Sequence, residues 1–257
     1  MNQSTSLRIL FLISLLICQC ANGKNNKNRS APTILPVITG TLPHDPEAFT
    51  QGFLYKDGFL LESTGLYGKS SIRKLNVADG AVVYKEDVPD VFAEGLAFFG
   101  NTIAQITWKE QIAITYEYPS MKPLGILKYS GEGWGLTTNT NGFIMSNGSD
   151  TLYFRAPDFK IVSKLPVTLN EKPVKNLNEL EYARGSIYAN VWYSDYIFEI
   201  DPSNGNVRRI IDCSALVRRE QPRSQDCVLN GIAYNSTDGK FYITGKNWKT
   251  IFIVTIP

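Results

Sequence analysis

Histidine is almost absent from this chain: among 257 residues there is one, His44, in the turn Pro43-His44-Asp45-Pro46. One imidazole cannot build a histidine-rich metal site, and a Ser-His-Asp triad would have to use this residue. Its place between two prolines reads as a solvated turn rather than a catalytic base. Cysteine is nearly as scarce: Cys18 and Cys20 fall near the N-terminus, leaving Cys213 and Cys227, whose spacing matches no metal-binding cluster. No run of like charge occurs and the formal net charge is +2, so nothing marks a nucleic-acid binder. The one long apolar run, Ile9 to Ile17, is too short to cross a bilayer as a stable helix.

That run, preceded by Arg8, reads as the centre of an export signal over residues 1–23, with small residues Ala21 and Gly23 ahead of cleavage before Lys24. A lipid-modified Cys20 is the weaker alternative, because Gln19 is a poor residue to precede it. The chain is therefore expected to be exported, either secreted or periplasmic. A polar linker, 24–31, then leads into one domain over residues 32–257, whose apolar and aromatic content suits a globular unit that needs no stable protein partner and is expected to be monomeric. Export also makes a Cys213–Cys227 disulfide the expected state, with two unpaired buried thiols as the other reading; a loop of that size contributes about 3 kcal/mol in the chain-entropy model. The proline- and arginine-bearing stretch Val217 to Ser224 between those cysteines is expected to be poorly ordered. Asn28, Asn147 and Asn235 head Asn-X-Ser/Thr sequons, relevant only in a eukaryotic secretory pathway.

What the chain does have is a repeat. Gln51-Gly52-Phe53, Glu94-Gly95-Leu96, Trp134-Gly135-Leu136, Asn178-Glu179-Leu180 and Asn230-Gly231-Ile232 follow one another at spacings of 43, 40, 44 and 52 residues. After each comes a turn signal, such as Asp57-Gly58 or Arg184-Gly185, and then a second and a third run of alternating apolar residues. A period of 40–50 residues built from short strands is the signature of a β-propeller with one four-stranded blade per repeat, so the expected fold is an all-β five-bladed ring. The fifth unit ends after its third strand, Thr250 to Ile256, while Thr33 to Thr39 has strand character and belongs to no unit. That N-terminal segment is expected to supply the outermost strand of blade five and close the ring.

Ring geometry brings residues distant in sequence to one mouth of the axis. The first slot of each repeat holds Gln51, Glu94, Trp134, Asn178 and Asn230; a second slot, ahead of each third strand, holds Tyr67, Trp108, Trp192 and Lys246; Phe49 and Phe92 precede slot residues by two and share their face. Aromatics often wedge between blades, and amides near turns often only satisfy backbone groups. A shared structural slot should nevertheless hold similar residues, and this one does not, which points to a site.

Ala48-Phe49-Thr50-Gln51-Gly52, Glu62-Ser63-Thr64-Gly65-Leu66-Tyr67-Gly68, Phe92-Ala93-Glu94-Gly95, Asn178-Glu179-Leu180-Glu181 with Ala189-Asn190-Val191-Trp192, and Leu229-Asn230-Gly231-Ile232-Ala233 resemble the plant and bacterial glutaminyl-peptide cyclotransferases. The resemblance runs from about Pro36 to the C-terminus. It implies a five-bladed propeller, unrelated to the zinc-dependent animal glutaminyl cyclases, that converts the N-terminal glutamine of a peptide or protein to pyroglutamate and releases ammonia. It also implies Glu94 as general acid/base, Gln51 and Asn178 as substrate-binding amides, Lys246 as a catalytic lysine, and Phe49, Phe92, Trp108, Trp134 and Trp192 as an aromatic pocket. No cofactor or catalytic metal is implied, and no residue set specifies the structural ion that a propeller channel sometimes holds. Two other readings share the fold: a non-catalytic propeller binding peptides or glycans, and a metal-dependent lactonase using Glu94, Asn178 and Asn230 as ligands. Burial of Glu94 and Lys246 in one pocket without direct pairing would favour the enzyme, since a binder has little reason to bury both.

Overall fold

The computed structural model describes residue 1 and residues 30–257; the export signal, Cys20, the Asn28 sequon and most of the linker lie outside the described residues. Alternating apolar runs separated by tight Gly, Asn and Asp turns fold into five antiparallel four-stranded blades. Their innermost strands are Thr50–Lys56, Ala93–Phe99, Leu136–Asn139, Leu177–Ala183 and Leu229–Asn235. Each of these touches the next, and the last touches the first, so the ring is closed. Burial falls from axis to rim. The innermost strands are buried on both faces over their first residues, whereas the outermost strands Pro123–Lys128 and Ile161–Pro166 are almost wholly exposed.

The core is divided among the blade interfaces. Five apolar clusters occur, one at each junction; Leu61, Ile72, Leu96 and Tyr116 fill the first, while Ile197, Ile232, Phe241 and Phe252 lie in the fourth. The fifth junction, where Phe53 and Leu60 meet Ala233 and Ile251, joins the last blade to the first.

Blade five is completed from the N-terminal side, as expected, but by a segment displaced along the chain. Val37–Pro43 pairs antiparallel with Thr250–Thr255. Thr33–Ile34 instead runs parallel to the outer edge of blade four, against Ile210 and Ile211. Leu35 and Pro36 lie between the two strands, so the N-terminal segment edges two neighbouring blades.

Immediately after that strand His44 is buried, a correction to its reading as a solvated turn. Its Nδ1 meets the Trp248 carbonyl at 2.8 Å and its Nε2 meets Glu62 Oε1 at 2.8 Å. Both partners only accept, so both ring nitrogens carry hydrogen and the ring is an imidazolium. Burial pushes His44 down, yet the Glu62 carboxylate outweighs it and the pKa is raised; burial pushes Glu62 up, yet His44 and Arg73 outweigh it and hold its pKa low. The pair ties the closing strand to blade one through Glu62 and to blade five through Trp248.

Ser214–Glu220 is an α-helix, which corrects the expectation of disorder there. The helix also bears on the thiols: Cys213 stands at its N-cap and Cys227 lies beyond it, beside Ser224. Both are buried free thiols rather than the expected disulfide, because each is fixed by its own local structure. Leu216 N–H and Val217 N–H donate to the Cys213 carbonyl, while the Trp248 indole N–H donates to that of Cys227 at 2.9 Å. Burial pushes the Cys213 thiol far up, so the thiolate is strongly disfavoured.

Neighbouring blades approach closely at the glycines that follow the slot residues of blades one, two and three. A Cβ on Gly95 would lie 2.3 Å from the Leu136 nitrogen, and one on Gly135 would lie 1.9 Å from the Asn178 carbonyl oxygen. Gly95→Ala is therefore expected to wedge blades two and three apart and cost about 1–3 kcal/mol, read as a lowered midpoint in chemical denaturation; an unchanged midpoint would contradict this packing. The buried ion pair sets a second expectation. A raised His44 pKa stabilises fully below its ordinary value of 6.5 and less as pH rises through the folded value. A lowered Glu62 pKa stabilises fully above 4.5 and less as pH falls through the folded value. The pair's contribution should thus be greatest between pH 4.5 and 6.5, so the stability gap between wild type and His44→Gln should be widest there and narrow on both sides.

Candidate functional site

The register of each blade explains how the slot residues leave the pleat. In blade two, Ala93 pairs with Thr107 and Leu96 with Gln105, so Glu94 and Gly95 together oppose Ile106. The same two-against-one bulge holds Asn178 and Glu179 in blade four and Asn230 and Gly231 in blade five, and blade one shifts register at Gln51. A bulge interrupts alternation and re-aims one side chain. Here it turns the side chains of four blades toward the axis. In blade three Trp134 sits just ahead of the innermost strand.

Blade four departs from the glycine rule and puts Glu179 after the slot. Its side chain is fully buried and spans to two neighbours: Phe53 N–H of blade one donates to Oε1 at 3.2 Å, and Ile232 N–H of blade five donates to Oε2 at 2.9 Å. Burial holds its pKa well above the usual carboxylate range.

Above this layer lies a cavity of about 170 Å³. All nine sequence-predicted catalytic and pocket residues line it: Phe49, Gln51, Phe92, Glu94, Trp108, Trp134, Asn178, Trp192 and Lys246. The four polar members are each at most 5% exposed. Trp134 and Trp192 meet edge to face at 5.5 Å, as do Phe92 and Trp108. Tyr67 packs on Phe92 but is itself exposed, outside the cavity at its rim. Asn230 is fully buried and is not part of the lining.

Glu94 receives the Gln51 amide N–H on Oε1 at 2.9 Å, while its Oε2 accepts no hydrogen bond among the described residues. Desolvation dominates its electrostatics. The pKa is pushed well above the usual carboxylate value, opposed by Lys246 and reinforced by Glu132 and Glu110. Lys246 is pushed the other way, down to about 8, again first by desolvation, with Glu94 and Asp226 opposing. Its ammonium lies 4.7 Å from the centre of the Phe49 ring and 5.9 Å from that of Trp192. Neither Glu94 nor Lys246 belongs to an ion pair among the described residues. The Asn178 side chain likewise has no hydrogen-bond partner among them, so its donor and acceptor remain free beside the cavity.

Glu132 is the residue that sequence reasoning missed. Its Oε2 accepts the indole N–H of Trp108 at 2.9 Å and that of Trp134 at 3.2 Å, so one exposed carboxylate clamps walls contributed by two blades. It stands two residues ahead of the slot tryptophan, in a loop without periodic constraint, and only that proximity could have flagged it.

No group of three His, Cys, Asp or Glu residues that could hold a metal ion occurs among the described residues.

A family model described as glutamine cyclotransferase matches residues 11–256. The glutaminyl-peptide cyclotransferase of Arabidopsis thaliana is 38% identical over 226 residues, covering 85% of this chain and 70% of that protein. The crystal structure of Myxococcus xanthus glutaminyl cyclase superposes with a TM-score of 0.83 at 39% identity, over 87% of this chain and 97% of that one.

The clamp on the two indoles is testable by itself. Glu132→Ala should change the near-ultraviolet circular dichroism of the tryptophans while shifting stability by no more than about 0.5 kcal/mol, because the carboxylate is a surface group. An unaltered spectrum would mean that the indoles are held by packing alone.

Proposed function

The chain belongs to the glutamine cyclotransferase family, a family of transferases acting on N-terminal glutamine, and we propose that it cyclises the N-terminal glutamine of peptides through Glu94 and Lys246 without a catalytic metal. The observation that carries this reading is a carboxyl and an ammonium buried together in one aromatic pocket with no ion pair between them. Burying two opposite charges unpaired is costly. A merely adhesive pocket has no use for that arrangement, whereas a proton shuttle beside an oxyanion donor does.

The reaction is an intramolecular acyl transfer. The α-amine attacks the side-chain carbonyl carbon, the carbonyl π pair moves to oxygen, and collapse of that oxyanion expels the amide nitrogen as ammonia. The amine must be neutral; with a pKa near 8, about a tenth of it is so at pH 7. Expelling ammonia is the harder step, because the leaving nitrogen must gain a proton. Glu94 supplies both transfers: the open Oε2 takes the proton that the amine loses on bond formation and returns it to the amide nitrogen. Its raised pKa brings it toward the working range for accepting and then releasing that proton.

Lys246 and the free amide of Asn178 face the carbonyl oxygen and hold its developing charge. Such a donor is typically worth about 10² to 10³ in rate. The indoles of Trp108, Trp134 and Trp192 fold the glutamine back on itself, which lowers the entropy still to be lost on ring closure. Residues beyond the first project from the mouth, so the sequence that follows glutamine is broadly tolerated. We read residues 1–23 as an export signal and residues 32–257 as one catalytic domain, placing this activity outside the cytoplasm.

A Gln-initiated peptide should lose the mass of one ammonia when incubated with the protein, and Glu94→Gln should abolish that loss without lowering thermal stability. Undiminished cyclisation by Glu94→Gln would refute the shuttle. The rate should also fall on the alkaline side as Lys246, with its pKa near 8, loses its proton. In Lys246→Met, kcat should drop by about 10² to 10³, and kcat/KM should rise with pH to a plateau set by the substrate amine instead of falling. A retained alkaline limb in that variant would remove Lys246 from the mechanism.

A further inference from the structure

Of the five slot residues Asn230 alone stays out of the cavity, yet it is fully buried and has one unsatisfied atom. Its Nδ2 donates both hydrogens, to the Thr50 carbonyl at 2.9 Å and to Gln51 Oε1 at 3.2 Å. Its Oδ1 accepts nothing among the described residues. An amide kept for stability would be satisfied at both ends; this one works only as a donor.

The direction of these bonds is fixed by chemistry. The Thr50 oxygen is a backbone acceptor in a strand and cannot turn over. Flipping the Asn230 amide would set its oxygen against two other oxygens, so its orientation is determined. Gln51 Oε1 is thereby bound to Asn230, which leaves Gln51 Nε2 pointing at Glu94 Oε1, 2.9 Å away. Without Asn230 only the protonation state of Glu94 would distinguish the two ends of the Gln51 amide.

We propose that Asn230 is a positioning residue for catalysis, orienting the Gln51 amide so that its N–H, and not its carbonyl, meets Glu94. The polarity of Glu94 follows. An N–H donated to Oε1 supports the ionised carboxylate and reserves Oε2 for the reacting nitrogens. A reversed Gln51 would offer an acceptor instead, and only a protonated Glu94 could meet it, on the wrong oxygen for proton transfer. The slot of blade five therefore serves the same pocket as the other four, one step removed.

This inference rests on the reading of Glu94 as the acid/base, and a double-mutant cycle between positions 230 and 51 tests it. In the wild-type background Asn230→Ala should lower kcat by about 10- to 10²-fold, leave KM within about threefold, and move the acid limb of the kcat profile to higher pH. On a Gln51→Ala background the same substitution should lower kcat by less than about threefold, because the residue it orients is gone. Asn230→Ser, which keeps one donor, should recover part of the loss and covers the case in which the alanine variant fails to fold. An equal loss in both backgrounds, or a loss of thermal stability with an unmoved acid limb, would overturn the proposal. A carbon-13 titration of the Glu94 carboxyl, assigned with Glu94→Gln, gives a reading independent of turnover. The titration should move upward in Asn230→Ala even if Glu94→Gln proves active and the shuttle is wrong; an unmoved titration would overturn the orienting role alone.

Discussion

The innermost strands of blades one to four approach one another so closely around the axis that a Cβ at Gly52, Gly95 or Gly135 would meet the backbone of the next blade. In blades one, two, three and five the residue after the slot is glycine; in blade four it is Glu179, whose carboxyl reaches across to the backbone N–H groups of Phe53 and Ile232. Close approach in turn requires the bulges, since a regular pleat would set the slot side chains alternately into the blade interfaces. The pocket is thus a by-product of how the ring closes at its narrowest layer. Glu179 ties three blades beneath it, and the rigid floor lets side chains from all five repeats act as one constellation.

On that floor desolvation is the common cause of both unusual acidities. The same walls of indole and phenyl rings that shed water around the substrate raise Glu94 and lower Lys246, moving two groups that normally titrate about six units apart toward one another. Each opposes the other's shift only partly, because no direct contact joins them. A salt bridge would have returned both toward ordinary values.

Period and blade count were legible because they depend on local alternation and on recurrence along the chain; the repeat slots and their flanking aromatics also named Tyr67 and Asn230, which do not line the cavity. The varied slot was readable as a site because a structural slot would have been uniform. What escaped the sequence was set by contacts between distant segments. His44 looked solvated between its prolines, yet its partners come from the second strand of blade one and from the loop of blade five. Export made a Cys213–Cys227 bridge the expected state, but both are buried free thiols, Cys213 at the N-cap of a helix and Cys227 beyond its end. The closing strand begins beyond Pro36 rather than before it, because Thr33–Ile34 pairs with the edge of blade four. Glu132 and the orienting bonds of Asn230 depend on side-chain directions that no periodicity encodes.

The strand Val37–Pro43 precedes every other strand of blade five in the chain, and its partner Thr250–Thr255 follows the other four blades. Lys246 and Asn230 belong to the blade that this pairing completes. During synthesis this strand must therefore wait, unpaired, until Thr250–Thr255 has emerged. The part of the cavity wall that Lys246 supplies is added after the parts from the other four blades, so a chain that stops short of it leaves the edge of blade five open and the cavity incomplete.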